Sequence, residues 1–200
     1  MNLKNAMFKF IKNESPRKLT GVEQMMGDFY PYAKKKLGFD QDATIIFQSN
    51  PENAKNPLGK TAYYEPSEFK ITVFVDGRHP KDIMRSASHE LVHHSQNCRG
   101  EFTGPINSED GYAQTDAHMR EMEREAYETG NLMFRDWEDG IKSRFLESIR
   151  EEIRKDRRIL TENRLNKQNM ARIIEKKLKA QPLIKQIVEF PIKKTSKSVN

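Results

Sequence analysis

The stretch Ser88-His89-Glu90-Leu91-Val92-His93-His94 constrains this chain more than any other. On a helix, residues four apart share a face, so His89 and His93 aim at one point in space. Two neutral imidazoles placed there can hold one zinc ion at about 2.0–2.1 Å each. Glu90 follows one residue on, about 100° round the helix at ~3.6 residues per turn. From that position its carboxylate reaches a water on the metal without being a ligand. Zinc lowers the pKa of such a water to around 7, and the carboxylate can then take its proton. Leu91 and Val92 make the positions between the histidines apolar, as a buried active-site helix requires.

The surrounding sequence supplies a start and a stop for that helix. Pro80 suits the first helical turn, Ile83, Met84, Ala87, Leu91 and His94 give it a buried face, and Gly100 ends it beyond Asn97. Upstream, Thr20 with Glu23 reads as a capping box. Val22, Met25, Met26, Phe29, Tyr32, Ala33 and Leu37 then recur at helical spacing up to Gly38, with Pro31 as a point of kinking. Ala43–Gln48 reads as a strand, Asn50–Leu58 as a Pro/Asn loop, Gly59–Tyr64 as a second short strand and Phe69–Val75 as a third. After a loop over Glu101–Gly111, an acidic helix is expected from Thr115 to Trp137, broken at Asp139-Gly140.

Charge divides the chain. Residues 1–140 hold 18 Lys+Arg against 22 Asp+Glu, whereas residues 141–200 hold 17 against 7, so the basic character belongs to the C-terminal part. That part carries Ile141, Phe145, Ile149 and Ile153 at four-residue intervals, then a second stripe of Met170, Ile173, Ile174 and Leu178. The expected organisation is an arm over 1–18, a folded domain over 19–140, and a basic amphipathic helical tail over 141–200 with a disordered end from Lys193. A basic tail can meet nucleic acid, an acidic protein surface or a membrane surface, and residues 141–190 are the segment expected to dock. Cys98 is the only cysteine, which excludes an internal disulfide. Met1–Ile11 is too short and lysine-broken for a secretory signal, and no run approaches the roughly 20 apolar residues of a membrane span. A cytoplasmic or virion-associated location is expected.

A catalytic zinc takes three protein ligands and keeps one position open. A third histidine six residues after the second is excluded, because Gln96 and Arg99 occupy the positions of that longer pattern. The remaining common solution is a glutamate on the acidic helix, where Glu121, Glu123, Glu125 and Glu128 compete. Glu123 is the choice, since it shares a face with Met119, Ala126, Tyr127 and Gly130, the small and apolar side. Glu125 comes second, and His118 and Asp116 follow.

His89-Glu90-Leu91-Val92-His93, followed some thirty residues later by Glu123-Arg124-Glu125-Ala126-Tyr127, resembles the gluzincin metallopeptidases, the thermolysin-like clan, and above all their minimal single-domain members. In those a Glu-x-x-Ala stretch on the second helix supplies the third ligand, and Glu123–Ala126 matches it. The resemblance covers roughly residues 20–138. It implies an α+β, zincin-like fold with a small mixed sheet packed on a motif helix and a ligand helix, carrying the basic helical extension. It also implies zinc-dependent hydrolysis of peptide bonds, with His89, His93 and Glu123 on the metal and Glu90 as general base and then acid. A peptide or protein substrate would pair in extended form with an edge strand. The Lys/Asn-rich ends and the segment Leu160–Leu165 leading into a basic helix are similar to proteins of tailed bacteriophages. Two rival readings stand beside the enzyme: a structural or assembly protein that keeps the zincin fold and docks through its tail, and a nucleic-acid-associated protein.

Other groups are less specific. Tyr112, His118, Arg120 and Tyr127 are candidates to stabilise an oxyanion. His94 points away from the ligand face and belongs to the core or behind the ligands. His79 begins the helix, and Cys98 is a buried thiol rather than a ligand. Gly59-Lys60-Thr61 lacks the earlier glycine of a phosphate loop, and no serine-centred nucleophile elbow is present.

Overall fold

The computed structural model describes residues 10–102, 117–159 and 167–180. Its sheet is built on two parallel strands, β2 (Thr44–Gln48) and β4 (Lys70–Phe74), in the register Ile45↔Ile71 and Phe47↔Val73. β2 alternates, with Ile45 and Phe47 fully buried and Ile46 half-buried, while β4 is buried on both faces through Ile71, Thr72 and Val73. β-Branched residues fit such a pleated, packed surface. β1 (Ile11–Asn13) adds to β2 in parallel, and β3 (Ala62–Glu65) adds to β4 antiparallel. The order β1-β2-β4-β3 gives a mixed four-stranded sheet with β3 at one edge. The protein is therefore α+β.

Helix α1 (Thr20–Leu37) crosses from β1 to β2 and packs on β1. Helix α3 (Pro80–Cys98), reached after the short helix α2 (Pro51–Lys55), packs on β4, β3 and α1. Helix α4 (Ala117–Ile159) and helix α5 (Lys167–Ala180) follow. The chain divides into two compact units, residues 1–137 and 138–200. In the first, Phe29 of α1 meets Phe134 and Trp137 of α4 edge-on, with ring centroids 5.6 and 5.3 Å apart. Met25, Met26, Met84 and Leu91 complete that core. In the second, Ile141, Phe145 and Ile149 of α4 and Ile173 of α5 are buried, and Lys177 Nζ pairs with Glu152 at 3.1 Å. Ile173 alone of the second stripe is buried, since Met170 and Ile174 are exposed and Leu178 half-buried. Among the described residues no helix is long and apolar enough to cross a membrane.

Several local expectations change. The arm expected over 1–18 enters the sheet at Ile11–Asn13, a strand too short to show a period of its own. Thr20 is the first helical residue rather than the cap. Leu19 stands at the cap and satisfies Glu23 through its backbone carbonyl alone, so there is no capping box. Asn50–Leu58 holds α2, whose Asn50 side chain accepts from the Asn53 amide while Pro51 opens the helix. The strand expected from Gly59 begins at Ala62. Pro31 lies inside α1, which stays helical to Leu37 and ends at Gly38 in the left-handed region (φ 75°), as expected. Asp139-Gly140 does not break α4: one helical glycine costs only about 1 kcal/mol relative to alanine, and Lys142 pairs with Glu138 and Asp139 across it. The proline ends at Pro182 and Pro191 and the segment from Lys193 lie outside the described residues.

Candidate metal centre

Helix α3 is amphipathic in its first turns and buried almost all round from Ala87 to Gln96. That burial forces each polar side chain to find a partner. Ser88 Oγ donates to the Gly130 carbonyl of α4 at 2.8 Å, and Ser95 Oγ to the Leu37 carbonyl of α1 at 3.2 Å. His94, fully buried, takes its partners from the sheet side. Its Nε2–H donates to the Gln41 carbonyl at 2.9 Å, so Nδ1 accepts from the Tyr64 hydroxyl at 3.0 Å, which in turn accepts from Asn97. The edges of Phe39, Tyr64 and Phe69 close round its ring. Burial lowers its pKa, and its role is structural, as expected. His79 caps the helix start by accepting from the Lys81 amide, also as expected. Cys98 is half-buried beside His94, its sulfur 3.7 Å from Nε2.

The opposite side of the helix holds the motif. His89 and His93 meet edge-on, with Nε2 atoms 3.0 Å apart. Glu123 arrives from α4, its Oε2 3.3 Å from His89 Nε2 and its Oε1 3.4 Å from His93 Nε2. Ligand atoms of the three residues lie within 4.8 Å of one another. A tetrahedral zinc with arms of about 2.0–2.1 Å sets its ligand atoms roughly 3.3–3.4 Å apart, and each imidazole nitrogen stands at that distance from one Glu123 oxygen, His89 from Oε2 and His93 from Oε1. Two imidazole nitrogens and a carboxylate oxygen are also the donor types zinc takes. The adjoining imidazoles, His89 first and then His93, hold the Glu123 carboxyl far below the usual carboxylate range. That carboxylate and the Glu90 charge raise the pKa of His93 against the effect of its burial. The residues present fit a small divalent cation.

Helix α4 reaches the motif by close approach. A Cβ built on Gly130 would lie 3.0 Å from the His89 Cα and amide nitrogen. Only a glycine lets the backbones come so near, and this contact brings Glu123, two turns earlier, over the histidines. Met122 and Ala126 are buried beside it, as the small apolar face requires. Tyr127, expected on that face, is instead mostly exposed and lines a cavity beside the motif. Glu125 is committed elsewhere, to Arg99 at 2.9 Å and Gln96 at 2.9 Å. Glu121 and Glu128 pair with Arg124 on the solvent side. His118 Nε2 donates to the Glu101 carbonyl at 3.1 Å. Asp116 and Tyr112 lie outside the described residues.

Glu90 differs from the other buried polar groups of α3. Its side chain makes no hydrogen bond among the described residues, yet the residue is 8 % exposed and lines the cavity with His89, His93 and Glu123. Burial pushes its carboxyl above the ordinary range, and the nearby histidines partly offset this. The cavity, about 670 Å³, is walled on the other side by Gly59–Tyr64, which includes most of the edge strand β3. Lys60 and Arg85 add two cations to its lining, which sequence reasoning did not single out. Arg120, a further candidate for oxyanion stabilisation, is not among the lining residues. Gln96 was also missed as a site residue, although its place three residues after His93 on one helix face was a signal.

No family model, curated protein or solved structure matches this chain.

Proposed function

We propose that this chain is a zinc-dependent metallopeptidase with a zincin-like helix pair, of the gluzincin kind its motifs resemble. The observation that carries the reading is the convergence of His89, His93 and Glu123 beside a buried Glu90 that makes no side-chain hydrogen bond among the described residues. His89 and His93 from α3 and Glu123 from α4 would hold the ion. When bound, zinc supplies Lewis-acid chemistry, lowering the pKa of a water toward about 7 and polarising a carbonyl.

The chain's own residues do the rest. The Glu90 carboxylate accepts a proton from the attacking water as its oxygen bonds to the peptide carbonyl carbon. It then gives that proton to the amide nitrogen as the C–N bond breaks, leaving a carboxylic acid and an amine. Its low exposure keeps bulk water from competing for the proton. β3, an edge strand among the described residues, lies along the cavity, where an extended peptide can add to the sheet through main-chain hydrogen bonds. Among the described oxyanion candidates, His118, Arg120 and Tyr127, it is Tyr127 that lines the cavity wall.

The test is elemental analysis of protein purified without chelator or nickel resin, followed by cleavage of a peptide library. Wild type is expected to carry one zinc per chain, His89→Ala and Glu123→Ala none. Glu90→Gln is expected to keep the zinc and lose about 10²–10⁴-fold in cleavage rate, the usual worth of a general base. A zinc-loaded Glu90→Gln protein cleaving at the wild-type rate, or a wild type without affinity for zinc, refutes the proposal.

A further inference from the structure

Gln96 is fully buried and makes three hydrogen bonds that together join both ligand-bearing helices. Its Oε1 lies 2.7 Å from His93 Nδ1. Its Nε2 donates to the Met122 carbonyl of α4 at 2.9 Å and to Glu125 Oε2 at 2.9 Å. Met122 is the residue before Glu123. Glu125 is held in turn by Arg99 at 2.9 Å, and Arg99 by Glu101.

The chemistry of these partners fixes the orientation of the amide. A backbone carbonyl and a carboxylate accept and cannot donate, so the NH₂ end must face α4. The carbonyl end then faces His93 and can only accept. His93 Nδ1 must therefore carry a proton, and in the neutral ring Nε2 keeps its lone pair. Nε2 is the atom that faces His89 and Glu123.

We infer that Gln96 is a positioning residue for the metal centre: it sets the His93 tautomer that leaves Nε2 free, and it ties that ring to the backbone carrying Glu123. This rests on the zinc-site reading above. A buried amide with one acceptor and two donors can do both jobs at once. An apolar side chain of the same size fills the volume and does neither. A carboxylate keeps the acceptor for Nδ1 but loses both donors and faces Glu125 as a like charge.

The experiment compares wild type with Gln96→Met, Gln96→Glu and Glu125→Ala. The first readout is the ring ¹⁵N shifts of His93 in metal-free protein, recorded with the imidazole neutral. The second is zinc affinity by competition with a chelator, with circular dichroism as the check on folding. Wild type is expected to show Nδ1 protonated. Gln96→Met should show a tautomer mixture and bind zinc about 10–100-fold more weakly, the usual effect of removing a ligand's orienting partner. Gln96→Glu should restore the Nδ1-protonated form. Glu125→Ala, at a half-buried helical position, should weaken zinc binding less than Gln96→Met. The inference fails if wild-type His93 is Nε2-protonated, or if Gln96→Met keeps the wild-type tautomer and zinc affinity. A Gln96→Glu protein whose neutral His93 is not Nδ1-protonated also overturns it. The tautomer readout needs no metal, so a wild type that binds no zinc refutes the zinc-site reading and still leaves this inference tested.

Discussion

Replacing Gly130 by alanine separates the demands of helix stability from those of the metal centre. The added methyl would lie 3.0 Å from the His89 Cα and amide nitrogen and 3.2 Å from the Ser88 carbonyl carbon. These are backbone atoms of α3, which no rotamer change can move aside. Such contacts are tighter than side chains ordinarily make, so α3 and α4 must part by a few tenths of an ångström there. Overpacking of this kind costs typically ~1–3 kcal/mol, and the gain of alanine over glycine in a helix interior returns about 1 kcal/mol. The net loss is about 1 kcal/mol, a fall of roughly 2–4 °C in melting temperature for a chain of this size. The site is less tolerant. Metal–ligand distances hold to about ±0.2 Å, and Glu123 rides on the displaced helix. Zinc affinity should fall at least about tenfold, or ~1.4 kcal/mol. Thermal melts of the metal-free protein and chelator-competition titrations read the two effects apart. A Gly130→Ala protein that melts higher than wild type and binds zinc equally well would refute the reasoning, because the close approach would then not be what places Glu123.

Phe29→Ala should cost about 3–5 kcal/mol, since its fully buried ring meets both Phe134 and Trp137; a urea-unfolding loss under 1.5 kcal/mol would deny that cluster its place as the core joining α1 to α4. Tyr64 gives an alkaline signature. Burial is the main cause that raises its phenol to about 12 in the folded chain, against an ordinary value near 10. The unfolded chain ionises first, so folding stability must decline as pH rises from about 10 toward 12. Tyr64→Phe should remove that part of the slope while losing about 1 kcal/mol at neutral pH with the His94 hydrogen bond. Urea midpoints at pH 8 and 10.5 check it, and parallel declines in the two proteins count against it.

The motif helix was legible because its information is local. His89, Glu90 and His93 are related by helix geometry alone, and the structure places them as a period of 3.6 demands. Glu123 was narrower, a choice among four acids, and the face it shares with Ala126 and Gly130 decided it. What the sequence reading missed depends on neighbours far along the chain. Gln96 has meaning only once α4 lies against α3, twenty-six residues onward at Met122. The helix α4 persists through Gly140 because the burial of the flanking Ile141 and Phe145 outweighs a propensity of about 1 kcal/mol, which a local Asp-Gly signal does not reveal. The small helix after Asn50 was readable in principle, since Asn-Pro is both a cap and a first turn, but a short element leaves little periodicity to see.

Burial of α3 explains both its polar content and its chemistry. A helix enclosed from Ala87 to Gln96 is expected to be apolar all round, yet Ser88, Glu90, His93, His94, Ser95 and Gln96 lie in that span. Each unsatisfied polar group there would cost roughly 1–3 kcal/mol, so the surrounding elements supply partners: Gly130 from α4, Leu37 from the end of α1, Gln41 from the turn after it and Tyr64 from β3. Those partners come from α1, the turn after it, β3 and α4, which locks the rotation of α3 about its own axis. A rotation about that axis would carry the His93 ring out of line with His89 and Glu123, and it would strain the Ser88 and Ser95 hydrogen bonds on other sides of the same helix. The polar residues that look wasteful in a core thus hold the orientation that three converging ligand atoms require. Glu90, without such a partner among the described residues, is the one left to act on something that enters the cavity.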